Sequence, residues 1–149
     1  MAEFRGQCLC GAVRFTARPP TLFCAHCHCR YCRRAHGAGV VTWVGVPEDR
    51  FELTTGGDSL RWYKSSRESR RGFCLNCGTT LFFQSEVAPG EMHVVRECFD
   101  GEIDREPKAH VFHDHRVPWL ELGDDLPRFD GDSPQLEKYA DIGGDEGAS

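Results

Sequence analysis

The chain has 149 residues, 40% of them hydrophobic, and a formal net charge of −5; that length suits one domain with a modest core. No run of about eighteen apolar residues is present to span a bilayer, which excludes a membrane-spanning helix. The charge is uneven: residues 1–120 hold fourteen acids and sixteen bases, whereas nine acids and two bases follow from residue 121, so the body lacks the strong basic balance of a nucleic-acid binder.

In chain order, residues 1–7 are polar and lack the apolar core of a secretory leader, which predicts a cytoplasmic protein. Residues 11–17 alternate, with Val13, Phe15 and Ala17 on one face and Arg14 and Thr16 on the other, the pattern of a half-buried strand. Pro19-Pro20 breaks it. Residues 24–32 read as a loop rich in cysteine and histidine, and residues 33–39 as a short helical turn closed by glycine. Residues 40–46, rich in β-branched and aromatic side chains, predict a strand, and residues 51–54 a shorter one. Residues 60–64 and 72–73 are read as strands flanking a charged loop. Residues 79–84 and 92–98 follow as strands, with shorter ones at 109–112 and 118–122. Turn residues recur every ten positions or so and no long amphipathic helix stands out, so the fold class is all-β, built of short antiparallel strands. One domain is expected over residues 1–130, with an acidic, flexible tail over 131–149. Trp43, Trp62 and Trp119 belong to the core or to an interface.

Nine cysteines in a protein placed in a reducing compartment point to metal binding or chemistry rather than disulfides. Cys8-Leu9-Cys10-Gly11 and Cys74-Leu75-Asn76-Cys77-Gly78 are two tight, glycine-closed pairs. Each turn points two thiolates at one spot, and four thiolates make a closed tetrahedral structural zinc site. Such a site would staple the N-terminal strand to the middle of the chain. The competing reading is four reduced core cysteines.

Cys27-His28-Cys29-Arg30-Tyr31-Cys32 crowds three thiols into six residues. Three protein ligands with one open position is the pattern of a catalytic zinc. Three thiolates on Zn²⁺ leave a net charge of −1, which Arg30, Arg33 and Arg34 stand near enough in sequence to offset. Two readings compete with this one. A histidine, by type any of His26, His28, His36, His110 or His113, closes the site as a structural one; or the site holds no metal and is redox-sensitive. Cys24 and Cys98 are left over. Cys24 precedes Cys27 at ligand spacing and competes as a ligand, but both read better as small buried hydrophobes. The bases near Arg30 and those at Lys64, Arg67, Arg70 and Arg71 read either as solvated faces or as an anion site for a small acidic substrate.

The order Gly6-x-Cys8-x-Cys10-Gly11-x-Val13-x-Phe15, then Cys27-His28-Cys29-x-x-Cys32-Arg33, then Phe73-Cys74-x-x-Cys77-Gly78-Thr79-x-Leu81 resembles the glutathione-dependent formaldehyde-activating enzyme family, which includes the centromere protein V type. His110-Val111-Phe112, Pro118-Trp119-Leu120-Glu121 and the stretch from Asp124 to Phe129 resemble its C-terminal signature. The resemblance implies an Mss4-like fold and two zinc ions per chain. It implies a structural zinc on Cys8, Cys10, Cys74 and Cys77 and a catalytic zinc on Cys27, Cys29 and Cys32. It also implies a carbon–sulfur lyase that forms S-hydroxymethylglutathione from glutathione and formaldehyde. The expected partner is therefore a small thiol, glutathione first, with Arg30, Arg33 and Arg34 as candidate substrate-binding residues and no nucleic-acid or membrane partner. The rival readings are a lyase of the same fold acting on another thiol adduct, and a non-catalytic zinc-binding interaction module.

Overall fold

Eleven short strands sort into two sheets in the computed structural model, which describes residues 3–143 and side chains as far as Tyr139. The smaller sheet has the order β1(Phe4–Gln7), β2(Arg14–Ala17) and β5(Phe51–Thr55), all antiparallel. The larger runs β11(Arg128–Phe129), β10(His110–Val111), β3(Phe23–Cys27), β4(Val41–Pro47), β9(Glu91–Val95), β8(Thr80–Ser85), β7(Ser69–Cys74) and β6(Leu60–Lys64). The helix α1(Arg30–His36) follows β3 directly.

The strand period of two explains why the large sheet is buried on both faces. On β4, Val44 and Val46 enter the main core while Val41 and Trp43 face the opposite cluster. On β8, Phe82 and Phe83 divide the same way, so a continuous apolar run fits a strand covered on both sides. Phe15 from the small sheet anchors the main core, its ring 5.4 Å from Phe82, 5.2 Å from Phe99 and 5.7 Å from Phe51. Burying each such side chain contributes about 1.5–3 kcal/mol. The second cluster gathers Cys27, Cys29, Cys32, Trp43, Phe83 and Phe112 under Leu136. Trp43 is buried and Trp62 packs partly buried on Phe82, whereas Trp119 is 73% exposed.

Several sequence expectations change. The loop expected over residues 24–32 is strand β3 followed at once by α1, because Cys29 acts as N-cap, its Sγ accepting the Cys32 N–H at 3.2 Å. The helix ends as expected on a glycine, Gly37, in the left-handed region. Strand β7 is six residues rather than two. Arg70 lies over the Trp62 ring and Arg71 turns inward, so its charges sit within a strand and not a loop. The strand ending at Cys98 stops at Val95, and Arg96–Cys98 form a 3-10 turn. Pairing is not antiparallel throughout, because β10 lies parallel to both β3 and β11. Residues 112–127 connect β10 to its parallel neighbour β11, the long crossover such a pair requires. Residues 118–122 form no strand; the strand lies at β11 instead. Arg128 there donates to the carbonyls of Leu122, Asp124 and Leu126, satisfying in a loop the groups a sheet would otherwise pair.

The acidic C-terminal stretch begins with 3-10 structure over Pro134–Gly143. Leu136 is buried in the second cluster, and Tyr139 packs on Phe23 and reaches Glu91 at 3.4 Å. The rest of the expected tail, from residue 144, lies outside the described residues. Among the described residues no helix is long and apolar enough to cross a membrane.

Candidate metal centres and active site

The two glycine-closed pairs meet at one point. Gly11 and Gly78, with φ of 81° and 80°, let each turn fold back so that Gly11 N–H donates to Cys8 O and Gly78 N–H to Cys74 O. Thr79 joins the turns: its hydroxyl accepts the Leu9 N–H at 3.1 Å and lies 3.2 Å from Cys77 Sγ. Cys8 and Cys10 sulfurs are 3.7 Å apart, and Cys10 and Cys74 sulfurs 3.8 Å. Two thiolates bound tetrahedrally at about 2.3 Å from zinc are roughly 3.8 Å apart, so the four sulfurs stand at ligand spacing. A disulfide needs about 2.05 Å, and none of the nine cysteines is joined in one. Burial would raise the Cys77 thiol, but the Thr79 hydroxyl and neighbouring N–H groups outweigh it and hold it at about 5.

The second group is Cys27, Cys29 and Cys32, whose sulfurs lie within 4.8 Å of one another. Cys27 comes from the end of β3, Cys29 caps α1 and Cys32 sits on its first turn, so a strand-to-helix junction gathers all three. Cys27 and Cys32 sulfurs are 3.6 Å apart, again close to zinc-ligand spacing. No histidine, aspartate or glutamate among the described residues joins either group. Each group can hold a metal ion: the first offers four ligands, the second three. Cys24 and Cys98 join neither; burial pushes their thiols up to about 11 and about 12.

The residue that meets the thiolates is one that sequence proximity did not single out. Arg71, buried on β7, places Nη1 and Nη2 3.7 and 3.6 Å from Cys32 Sγ. Burial alone would raise the Cys32 thiol. Hydrogen bonds from Cys27 and Cys29 together with the Arg71 guanidinium outweigh it and hold Cys32 well below its ordinary value. The signal was strand parity: Arg71 falls on the same face as Phe73. Of the arginines near in sequence, Arg33 donates to the backbone oxygens of His28 and His115. Arg30 is half-buried, its Nε without a partner among the described residues. Arg34 is exposed on a groove of about 650 Å³ lined also by Tyr31, Tyr63, Ser65, Arg71 and Thr80. A cleft of about 680 Å³ along β6–β8, beside Trp62 and Glu86, contains no cysteine.

The histidines form a network of their own. Asp124 accepts from His110 Nε2 at 3.0 Å, and His110 Nδ1 lies 2.8 Å from His28 Nε2. A carboxylate fixes the proton on His110 Nε2, so His110 Nδ1 accepts and His28 Nε2 donates. Burial, and then the neighbouring His110, depress His28 to about 4, so it is neutral at pH 7. His28 lies between two of the three cysteines in sequence, and the chain Asp124–His110–His28 ties that loop to the C-terminal segment.

The fold and its two cysteine groups define a class: a β-sheet protein of Mss4-like fold with paired sites suited to zinc. Residues 3–115 match the family model of the glutathione-dependent formaldehyde-activating enzyme, and the chain belongs to that family. A Schizosaccharomyces pombe protein named as an uncharacterized lyase is 37% identical over 90 residues, covering 56% of this chain. The match spans only 58% of that relative's length. A Halomonas elongata protein, provisionally named a glutathione-dependent formaldehyde-activating enzyme, is 26% identical over 125 residues, 78% of this chain and 79% of its own. A crystal structure of a Rhodobacter sphaeroides protein superposes with a TM-score of 0.58 at 23% identity, covering 83% of this chain and 98% of that one, and supports the fold.

Proposed function

We propose that the protein is a zinc-dependent carbon–sulfur lyase of thiol adducts, joining glutathione or a similar acidic thiol to formaldehyde and cleaving the product in reverse. The observation that carries this reading is a three-thiol group with no fourth protein ligand among the described residues, bordered by a groove through Arg71. The names of the two relatives, one a lyase and one tied to glutathione and formaldehyde, support the same class. A zinc ion on Cys27, Cys29 and Cys32 would lower the pKa of a thiol bound beside it.

The chain's own residues do the rest. Arg71 offsets the charge of the thiolates and holds Cys32 deprotonated. Arg34 and Arg71 give the groove its positive charge, which suits the carboxylates of an acidic thiol. Tyr31 and Tyr63 line the same groove. The chain from Asp124 to His28 keeps the loop that carries Cys27 and Cys29 in one arrangement. Cys8, Cys10, Cys74 and Cys77 serve as the closed structural zinc site.

Cys29→Ser tests the reading. Formaldehyde consumption with glutathione is expected to fall at least about 100-fold, one zinc per chain should be lost, and the circular dichroism spectrum should persist. Full turnover in this variant would refute the role of the three-cysteine group.

A further inference from the structure

The three-cysteine group borders a second space of different character. Cys27 lines a chamber of about 310 Å³ together with Phe23, Trp43, Phe112, Leu136 and Tyr139. Its wall is mostly apolar, and its only charged lining groups among the described residues are Arg105 and Lys108. Arg71, which touches Cys32, lines the polar groove instead. Cys27 and Cys32 sulfurs are 3.6 Å apart, so the same thiol group is reached from the polar groove through Arg71, which touches Cys32, and borders the apolar chamber through Cys27.

The C-terminal stretch borders the chamber. Leu136 and Tyr139 form part of its wall, and Lys138 Nζ bonds Glu91 Oε2 at 2.5 Å. Glu91 is itself buried and accepts from His93 Nε2 at 2.9 Å. A one-carbon aldehyde needs no such space. Cavities of about 150 Å³ hold benzene, so this chamber has room for a substituted ring.

We propose that the chamber binds the apolar arm of the carbonyl partner, making an aromatic or branched aliphatic aldehyde a substrate, with the acidic thiol in the groove. The proposal rests on the thiol-adduct reading of the cysteine group. The step is balanced: the thiol loses its proton, a C–S bond forms at the carbonyl carbon, and the C=O π pair moves to oxygen. The oxygen then takes up one proton. One thiol and one aldehyde become one thiohemiacetal, and the reverse breaks the same bond. The cationic rim disfavours an arm that carries a positive charge.

The test has a binding arm and a turnover arm, both on zinc-loaded full-length protein. Benzyl alcohol has the ring and oxygen but no electrophilic carbon; ligand-observed NMR should show saturable binding with Kd on the order of 1 mM or tighter. Ala25, on the chamber wall and opposite Trp43 on β4, is the site for filling it. Ala25→Leu should weaken benzyl alcohol binding and lower the benzaldehyde-to-formaldehyde ratio of kcat/KM at least about tenfold. Ala25→Val is the smaller step should the leucine variant fail to fold. Formaldehyde turnover without benzyl alcohol binding, or binding unmoved by either variant, would overturn the chamber assignment alone. Benzyl alcohol binding with no aldehyde consumed, formaldehyde included, would sink the thiol-adduct reading and this assignment with it.

Discussion

At the scale of single residues, the charge balance at the three-cysteine group rests on Arg71. A buried guanidinium 3.6 Å from a thiolate favours the deprotonated sulfur. Removing it raises the Cys32 thiol, so protons compete with metal at higher pH. Arg71→Met is therefore expected to raise the pH midpoint for losing the second zinc by about one unit or more, read as zinc released to a colorimetric chelator. An unmoved midpoint would show that Arg71 contributes nothing to the thiolates. The seven cysteines of the two groups were legible because ligand spacing is local, encoded within a few residues of one turn. Arg71 was legible only as one of several bases of a possible anion site; its contact with Cys32 was not, because it comes from strand β7 to helix α1, from 39 positions away. Sequence nearness favoured Arg33, whose guanidinium is engaged by the backbone oxygens of His28 and His115. The Asp124–His110–His28 chain was hidden for the same reason: 82 positions separate its two histidines.

Among elements, the central strands were readable wherever apolar and β-branched runs marked them, as at β4 and β8. The departures come where side chains replace the usual signals. A cysteine in place of serine or aspartate caps α1, and Arg128 organises a loop where an apolar run suggested a strand. The strap over residues 134–139 was obscured by its acidic composition, although Leu136 and Tyr139 carry its packing. Its attachment is pH-dependent. Burial would raise the Glu91 carboxyl, but hydrogen bonds from His93 and Lys138 outweigh this and depress it. A depressed carboxyl contributes stability above its ordinary value near 4.3, and that contribution is lost as pH falls through the lower folded value. Hydrogen exchange at strap amides should therefore accelerate below about pH 4 while β8 stays protected, and Glu91→Gln should accelerate it at pH 7. Equal protection in Glu91→Gln and the parent at pH 7 would mean that Glu91 does not hold the strap.

Across the whole molecule, the four-cysteine site joins the loop between β1 and β2 to the turn between β7 and β8, two sheets otherwise held together by the Phe15 core. Cross-linking points so distant in sequence removes much of the freedom of the unfolded chain. Cys77→Ser is expected to cost at least about 3 kcal/mol, a fall of roughly 6–12 °C in Tm, measured by calorimetry. Cys29→Ser should cost less, because the second group lies within one strand-to-helix junction and closes no long loop. A larger loss of Tm in Cys29→Ser than in Cys77→Ser would reverse the structural roles assigned to the two sites.

The most direct measurement is zinc X-ray absorption on the zinc-loaded protein with and without glutathione. The sites described here predict seven protein sulfurs shared by two ions, rising to eight in all when the thiol binds. A sulfur count already at its maximum without glutathione, or one that glutathione leaves unchanged, would contradict an open thiol-binding position at Cys27, Cys29 and Cys32.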